Sequence, residues 1–490
     1  MHVLAIDEGT TGVRAMVFDQ QSALVGTAYE EVAASYPRPG WMEQDPLHLW
    51  EATQRVVGDA LRAARLPPTA LAAVGIATQR ATTLVWDRRT GLPVYPAISW
   101  QDGRTAARVP EVLAQGVYVN AMASATKLEW ILRERDAPQR AAAGDLCFGT
   151  VDTWLAWQLS GGRSHVTDHG NASCTGLYDF SAGTWDANVL AILGIPAAVL
   201  PAIVSSSAVC GETDAAVFGA AVPLAGRAGD QQAAMFGELC VEPRAVKITF
   251  GTSAMIDLNT GEYPVLSQHG AYPLILWEIG GQRTFCLEGT VMTAGAAVQW
   301  LRDGLGIISN AAECGPLAAS VPDSGGVWAV PAFQGLGTPH LDPGGRAVIG
   351  GLSRGSTRAH IVRAVLEGVA FRTREALDVL LADAQFERPA RLRVDGGAAA
   401  NDFFLQSLAD TLGIPVERPE PVQATALGAA YLAGLAAGVW KSLDDVRHAW
   451  RSGGVFTPRV SADERESRFA AWQQAISAAQ LGAGPKSPAG

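Results

Sequence analysis

One short unit occurs twice in this sequence, and it limits the fold more than any other feature. Residues 3–7 (VLAID) form an apolar run, Glu8-Gly9-Thr10-Thr11-Gly12 follows, and residues 13–19 (VRAMVFD) resume with strand-like alternation. Strand, Gly/Thr turn and strand predict a β-hairpin. About 240 residues later, 245–250 (AVKITF), Gly251-Thr252-Ser253 and 254–258 (AMIDL) repeat the unit. A third glycine-rich strand end lies at 392–395 (LRVD), followed by Gly396-Gly397-Ala398-Ala399-Ala400-Asn401. Helical patterns over 46–64, 295–305, 356–381 and 402–412 separate these units. Such a repeat among mixed elements predicts two related α/β domains. We place them at 1–239 and 240–460, with a C-terminal helix and a flexible tail over 461–490 that frays from Leu481.

Two turns of this kind suit one task. Backbone N–H groups in a tight turn, helped by Thr hydroxyls, can cradle phosphate oxygens, and glycine lets the backbone approach them closely. The chain needs such a cradle if it handles a nucleotide. It has four lysines (Lys127, Lys247, Lys441, Lys486), and none follows a glycine, so a Walker-type loop is absent. The other 33 of its 37 basic residues are arginines, scattered through a chain of net charge −11. No basic run offers a nucleic-acid footprint. The six cysteines have no metal-ligand spacing and read as free thiols of a reducing, cytoplasmic compartment. The N-terminus has no signal-peptide pattern. Residues 421–440 carry no charge, but they are rich in Ala and Gly and follow Pro419. That stretch predicts a closely packed buried helix and no membrane insertion.

Longer segments carry a resemblance. They are DEGTTGVRAMVFD from Asp7, YPRPGWMEQDP from Tyr36, GIATQRATTLVWDRRTG from Gly75, FGTVDTWLAWQLSGG from Phe148 and HVTDHGNAS from His165. AGDQQAAMFGE from Ala228, AGAAVQWLRD from Ala294, GLGTPHLDP from Gly335 and VDGGAAANDFFLQ from Val394 continue the series. MASATKLEWILRE from Met122 and the segment from His360 (HIVRAVLE) match the two signatures of one family. From about Val3 to Trp440 the chain resembles the FGGY carbohydrate kinases, and within them the glycerol kinase branch. The resemblance implies two ribonuclease H-like (actin-like ATPase) domains with a nucleotide and substrate cleft between them. It also implies ATP and Mg²⁺ as cofactors, a small polyol or sugar as acceptor, and a homodimer or homotetramer as the assembly the family makes plausible.

Carried over residue by residue, Asp7 falls where the family keeps an aspartate near Mg²⁺, and Thr10, Thr11 and Arg14 where it contacts nucleotide phosphates. Thr252 falls in the second hairpin turn, beside the phosphates, Gly295 and Gln299 match positions lining the nucleotide, and Gly397 and Asn401 match positions around the adenosine. Asp230 matches the catalytic aspartate, a second carboxylate near the metal. These residue types suit phosphoryl transfer, which is largely positioning and charge stabilisation. Mg²⁺ takes oxygen ligands and keeps several waters, so one or two carboxylates suffice. A carboxylate near the acceptor hydroxyl takes its proton as the P–O bond forms. Arg14, one step past the turn, is expected to meet transition-state charge.

The acceptor pocket departs from the glycerol pattern. Arg80, Trp100, Asp230 and Gln231 are kept. Ala81 stands where Glu follows the arginine, Met122 replaces a Tyr and Met255 a Phe. A hydroxyl that loses a charged partner forfeits about 1.5–3 kcal/mol, and methionines make an adaptable apolar wall. Asp102, in WQDGRT, resembles the pentulose-kinase branches and is expected either to meet a hydroxyl or to cap local backbone. Ala81 also frees volume, so the pocket is expected to be roomier and less polar than a glycerol site, with glycerol the nearest label and a larger tetritol, pentitol or pentulose the alternative. A catalytically weak metabolite sensor or an actin-like filament or chaperone ATPase would use the same fold, although the latter needs no acceptor pocket. The stretch from Glu212 (ETDAAVFGAAVPLAG) lacks the basic residues with which some glycerol kinases bind fructose 1,6-bisphosphate, so that control is expected to be missing.

Overall fold

The structure is a computed structural model that describes residues 1–135, 137–420 and 423–481. The expected frayed tail beyond Leu481 and the Pro421 end of the uncharged stretch lie outside the described residues. Contacts divide the chain into two compact units. The first comprises Met1–Leu239, Leu274–Thr284 and Ala424–Trp450; the second comprises Cys240–Pro273, Phe285–Gln423 and the chain from Arg451. The units are therefore not two contiguous segments.

In the first unit His2–Glu8 and Gly12–Asp19 pair antiparallel, with Leu4 opposite Val17 and Asp7 opposite Arg14. Gly9 N–H closes the turn on the Gly12 carbonyl at 2.9 Å. Val3 to Ile6 are wholly buried, as an uninterrupted apolar run demands of a strand covered on both faces. The sheet runs Leu224–Gly229, Leu71–Thr78, His2–Glu8, Gly12–Asp19, Leu24–Glu31, parallel across the first two junctions and antiparallel across the last two. Helix Pro46–Ala64 starts where Asp45 accepts from the Leu47 amide and Pro46 supplies a preset φ. Its buried stripe of Leu49, Ala52, Val56 and Ala60 covers the outer strands.

Helix Ala424–Ala436 explains the discontinuity. It packs on the strands Leu71–Thr78 and Leu224–Gly229 and on helix Asp230–Gly237. Backbones meet there directly: a Cβ on Gly75 would lie 2.1 Å from the Ala429 carbonyl oxygen, and one on Gly237 2.0 Å from that of Ala424. The Ala/Gly composition that argued against lipid serves this approach. Among the described residues no helix is long and apolar enough to cross a membrane.

In the second unit Val246–Phe250 and Ala254–Gly261 form the repeated hairpin. Its strands run Gln282–Val291, Ala254–Gly261, Val246–Phe250, Leu392–Asp395, Val416–Glu420, Arg451–Phe456. Antiparallel pairs again flank the hairpin on one side and parallel pairs follow on the other, as far as Val416–Glu420. The expected helix 356–381 spans Arg358–Asp383, because extended Thr357 forms a capping box with His360 and delays the first turn. Helix Ala462–Leu481 packs Phe469, Trp472 and Ile476 against Val330 and Leu336. None of the six cysteines forms a disulfide.

Candidate active site

All the residues expected around the acceptor except Met255 fall in the first unit. Strand Leu71–Thr78 ends beside the hairpin turn, and the chain then bends sharply: the Thr82 amide donates to the Arg80 carbonyl at 2.8 Å, with Ala81 between them at φ +58°. That tight three-residue turn holds a non-glycine residue in the left-handed region, a strained arrangement of the sort that collects at functional sites. It projects Arg80 toward the end of strand Leu224–Gly229, where Arg80 Nε lies 3.3 Å from Asp230 Oδ1. Asp230 opens helix Asp230–Gly237, and its Oδ1 accepts from the Gln231 amide at 2.7 Å. Gly229 permits the pair. A Cβ there would stand 2.7 Å from Arg80 Cγ and 2.6 Å from Gln232 Oε1.

Trp100 is half-buried and bonded at each of its polar atoms. Its indole N–H donates to Thr10 Oγ1 at 2.9 Å, its amide to Thr82 Oγ1 at 3.2 Å, and its carbonyl accepts from Lys127 Nζ at 3.0 Å. Lys127 also donates to the Met122 carbonyl at 2.9 Å, so one buried ammonium ties two expected pocket residues together. Burial pulls its pKa down to about 7. Sequence reasoning passed over Lys127. A lysine inside an apolar helical signature, in a chain with so few lysines, was the available signal.

One open alternative is decided and one expectation, the roomier pocket, changes. Asp102 does not face a ligand. Its Oδ1 accepts from the Arg104 amide and Nε, its Oδ2 from Arg104 Nη2 and the Met42 amide. A carboxylate offers about four acceptor positions, so none remains for a sugar hydroxyl, and the local backbone role is the one realised. Ala81 is 5 % exposed, and its carbonyl accepts from Ser124 Oγ and Thr83 Oγ1. The absent glutamate side chain has therefore left no wide solvent-filled recess against it.

In the hairpin turn Thr10 is half-buried and Thr11 exposed. Arg14 lies across from Asp7 in the register, its guanidinium 5.2 Å from the centre of the Tyr29 ring. The same Tyr29 decides Gly12, where a Cβ would meet its hydroxyl at 2.5 Å. Beside Asp7, Glu8 is fully buried and accepts from Thr53 at 2.8 Å. Burial raises its pKa from 4.5 to about 8, and the Asp7 charge adds to the rise. Folding thus favours neutral Glu8: its contribution is fully present below pH 4.5, is lost as the pH rises toward 8, and is level beyond. Glu8→Gln should flatten this slope and raise stability at pH 7 by as much as about 3 kcal/mol. Chemical denaturation at pH 5, 7 and 9 checks it, and a pH dependence unchanged from wild type would show Glu8 to be ionised.

The residues expected around the nucleotide from Thr252 onward fall in the second unit. Thr252, Gly295, Gln299, Gly397 and Asn401 all line one cavity of about 1120 Å³. Gly295 starts helix Gly295–Asp303 with its amide on the Gly251 carbonyl at 2.9 Å, which seats the helix end on the hairpin turn. Asn401 caps helix Asp402–Leu412, and Gly396 turns the preceding strand at φ +83°. Phe456, Arg459 and Arg302 also line the cavity and were not anticipated. Arg302 lies one turn beyond Gln299, a spacing that could have revealed it. Met255 belongs to this unit, beside Thr290, whose hydroxyl lies 3.5 Å from its sulfur.

The described residues thus hold two such sheets, a carboxylate–arginine pair at a strand end in the first unit and a large cavity in the second. Comparison with known proteins gives the family. The N-terminal domain of the FGGY family of carbohydrate kinases matches residues 2–237, and its C-terminal domain matches 246–437. The chain is 47% identical to glycerol kinase 2 of Thermotoga maritima over 97% of this chain and 98% of that one, and 46% identical to a glycerol kinase of Petrotoga mobilis over 98% of both. Its fold is similar to that of a Plasmodium falciparum glycerol kinase crystallised with ADP (TM-score 0.92, 31% identity, 98% of both chains). It is also similar to a xylulose kinase of Rhodospirillum rubrum (TM-score 0.84, 25% identity, 98% of this chain and 99% of that one). The chain belongs to the FGGY family of carbohydrate kinases. It is an ATP-dependent kinase that phosphorylates a polyol or sugar.

Proposed function

We propose that the acceptor is glycerol, that Asp230 is the general base, and that Mg²⁺ accompanies ATP. The Arg80–Asp230 pair carries this reading. In the proposed reaction an acceptor O–H gives its proton to the Asp230 carboxylate as its oxygen bonds the γ-phosphorus. The bond from that phosphorus to the β,γ-bridging oxygen breaks, and ADP leaves. Arg80 orients the carboxylate, while Thr10, Thr11 and Arg14 meet the phosphates. The donor set suits Mg²⁺: Asp7 and Asp230 offer hard oxygens, and among the described residues no group of three or more His, Cys, Asp or Glu would hold an ion alone. Such a site fits an ion held largely by water and phosphate. Bound there, Mg²⁺ would neutralise phosphate charge.

Full-length relatives named glycerol kinases support glycerol over the larger acceptors. So do the sealed Asp102 and the closed space at Ala81. A coupled ADP-release assay across glycerol, erythritol, threitol, the pentitols and common ketoses tests this, with glycerol expected to turn over best. A ketose or pentitol turning over best would overturn it, and silence across the panel with nucleotide still bound would favour a sensor. Fructose 1,6-bisphosphate at micromolar concentration should leave the rate unchanged. Asp214, in the stretch where such a regulator would bind, is paired with Arg163 and caps a short helix. Inhibition there would contradict the expectation.

A further inference from the structure

The expected phosphate turn and the expected acceptor wall are joined by a closed set of buried hydrogen bonds. Gln79 Nε2 donates to the Gly9 carbonyl at 3.2 Å and to Gln44 Oε1 at 3.0 Å. Gln44 Nε2 donates to the Thr10 carbonyl at 2.9 Å. On the other side Thr82 Oγ1 donates to Gln79 Oε1 at 2.8 Å and accepts from the Trp100 amide, while the Trp100 indole reaches back to Thr10 Oγ1. Gln44 is 1 % exposed, and Gln79 and Thr82 are fully buried. None of the three touches a substrate in the mechanism above, and none had a role in the sequence reading.

The consequence follows from peptide geometry. In a trans peptide the C=O and the next residue's N–H point in opposite directions. Pinning the Gly9 and Thr10 carbonyls inward on two glutamines turns the Thr10 and Thr11 amides outward. Among the described residues neither amide has a partner within the protein. These are the donors a phosphate needs, and their orientation is fixed by side chains that also hold Trp100.

We propose that Gln79, Gln44 and Thr82 are positioning residues that couple the acceptor wall to the phosphate turn, so that an acceptor against Trp100 tightens the grip on nucleotide. This rests on the reading that Trp100 faces the acceptor and that Thr10 and Thr11 face the nucleotide. Buried amide networks of this kind transmit small shifts because each member is bonded at both ends. Coupling between two sites is a ratio of affinities and is reciprocal.

The test measures ADP affinity by calorimetry with and without saturating glycerol, in the full-length wild type, Thr82→Val, Thr82→Ser and Gln44→Met. In wild type glycerol should tighten ADP by about fivefold or more. Thr82→Val should bring that ratio close to one while keeping the affinity for each ligand alone, Gln44→Met should bring it close to one while also weakening ADP alone, and Thr82→Ser, which restores the hydroxyl, should recover it. Variants that weaken each ligand separately but leave the ratio intact would overturn the proposal, as would a wild-type ratio of one. A wild type that binds ADP but no glycerol would sink the acceptor reading itself, and the relay with it. Thermal midpoints measured alongside separate lost coupling from lost folding.

Discussion

Asp230→Asn will bind ADP as the wild type does and phosphorylate its acceptor about 10²–10⁴-fold more slowly, the range a positioned general base supplies. The substitution keeps the shape of the side chain and its place at the first turn of helix Asp230–Gly237, so the loss falls on kcat. The cavity that gathers the five expected nucleotide residues is lined by the second unit and is untouched by the change. Arg80 then faces a neutral amide 3.3 Å away in place of a carboxylate. Gly229→Ala offers an independent route to the same site. Its added methyl group collides with Arg80 and Gln232, and it should depress kcat while Asp230 itself remains. Isothermal titration with ADP and steady-state rates with glycerol distinguish the outcomes. An undiminished kcat in Asp230→Asn would remove this carboxylate from the chemistry.

Gly428→Ala should be the most damaging single methyl group in the molecule. An added Cβ would lie 1.8 Å from the Ala233 carbonyl oxygen and 2.9 Å from the Gly237 nitrogen. These are backbone atoms of a helix that cannot swing aside as a side chain would. Overpacking costs about 1–3 kcal/mol, occasionally more, and here both helices must separate. For a chain of this size the thermal midpoint should fall by roughly 1–3 °C. Helix Asp230–Gly237 also carries Asp230 at its start, so residual activity should fall as well. Gly58→Ala is the control. It adds the same methyl group in helix Pro46–Ala64, where nothing lies within 4 Å, and should stabilise slightly because Ala outranks Gly in helix propensity. Equal midpoints for the two variants would show that the helix contact has slack.

What the sequence disclosed depended on whether its signals were local. The hairpin at residues 3–19 and helix 46–64 are written in contiguous patterning and caps, and the structure forms both. The five nucleotide positions that share one cavity were carried by long matched segments around glycine turns. The discontinuous units were not legible, because helix Ala424–Ala436 crosses back through contacts between backbones that composition only hints at. Asp102 stayed open between two roles for a related reason: WQDGRT displays the carboxylate and Arg104, but Met42, whose amide takes one of its acceptor positions, lies 60 residues away and meets it only once the chain folds. Lys127, Gln44, Gln79 and Thr82 escaped notice because a buried polar group has meaning through what it bonds, and those partners lie 27, 34, 70 and 18 residues away in the chain.

The central claim is transfer of a phosphoryl group from ATP to a carbon-bound hydroxyl. Phosphorus NMR of the wild-type enzyme with ATP, Mg²⁺ and glycerol observes that transfer without a coupling system. The account predicts a new phosphomonoester resonance that grows in step with ADP, and almost no signal change when glycerol is omitted. ADP accompanied by inorganic phosphate alone, with glycerol present, would contradict it.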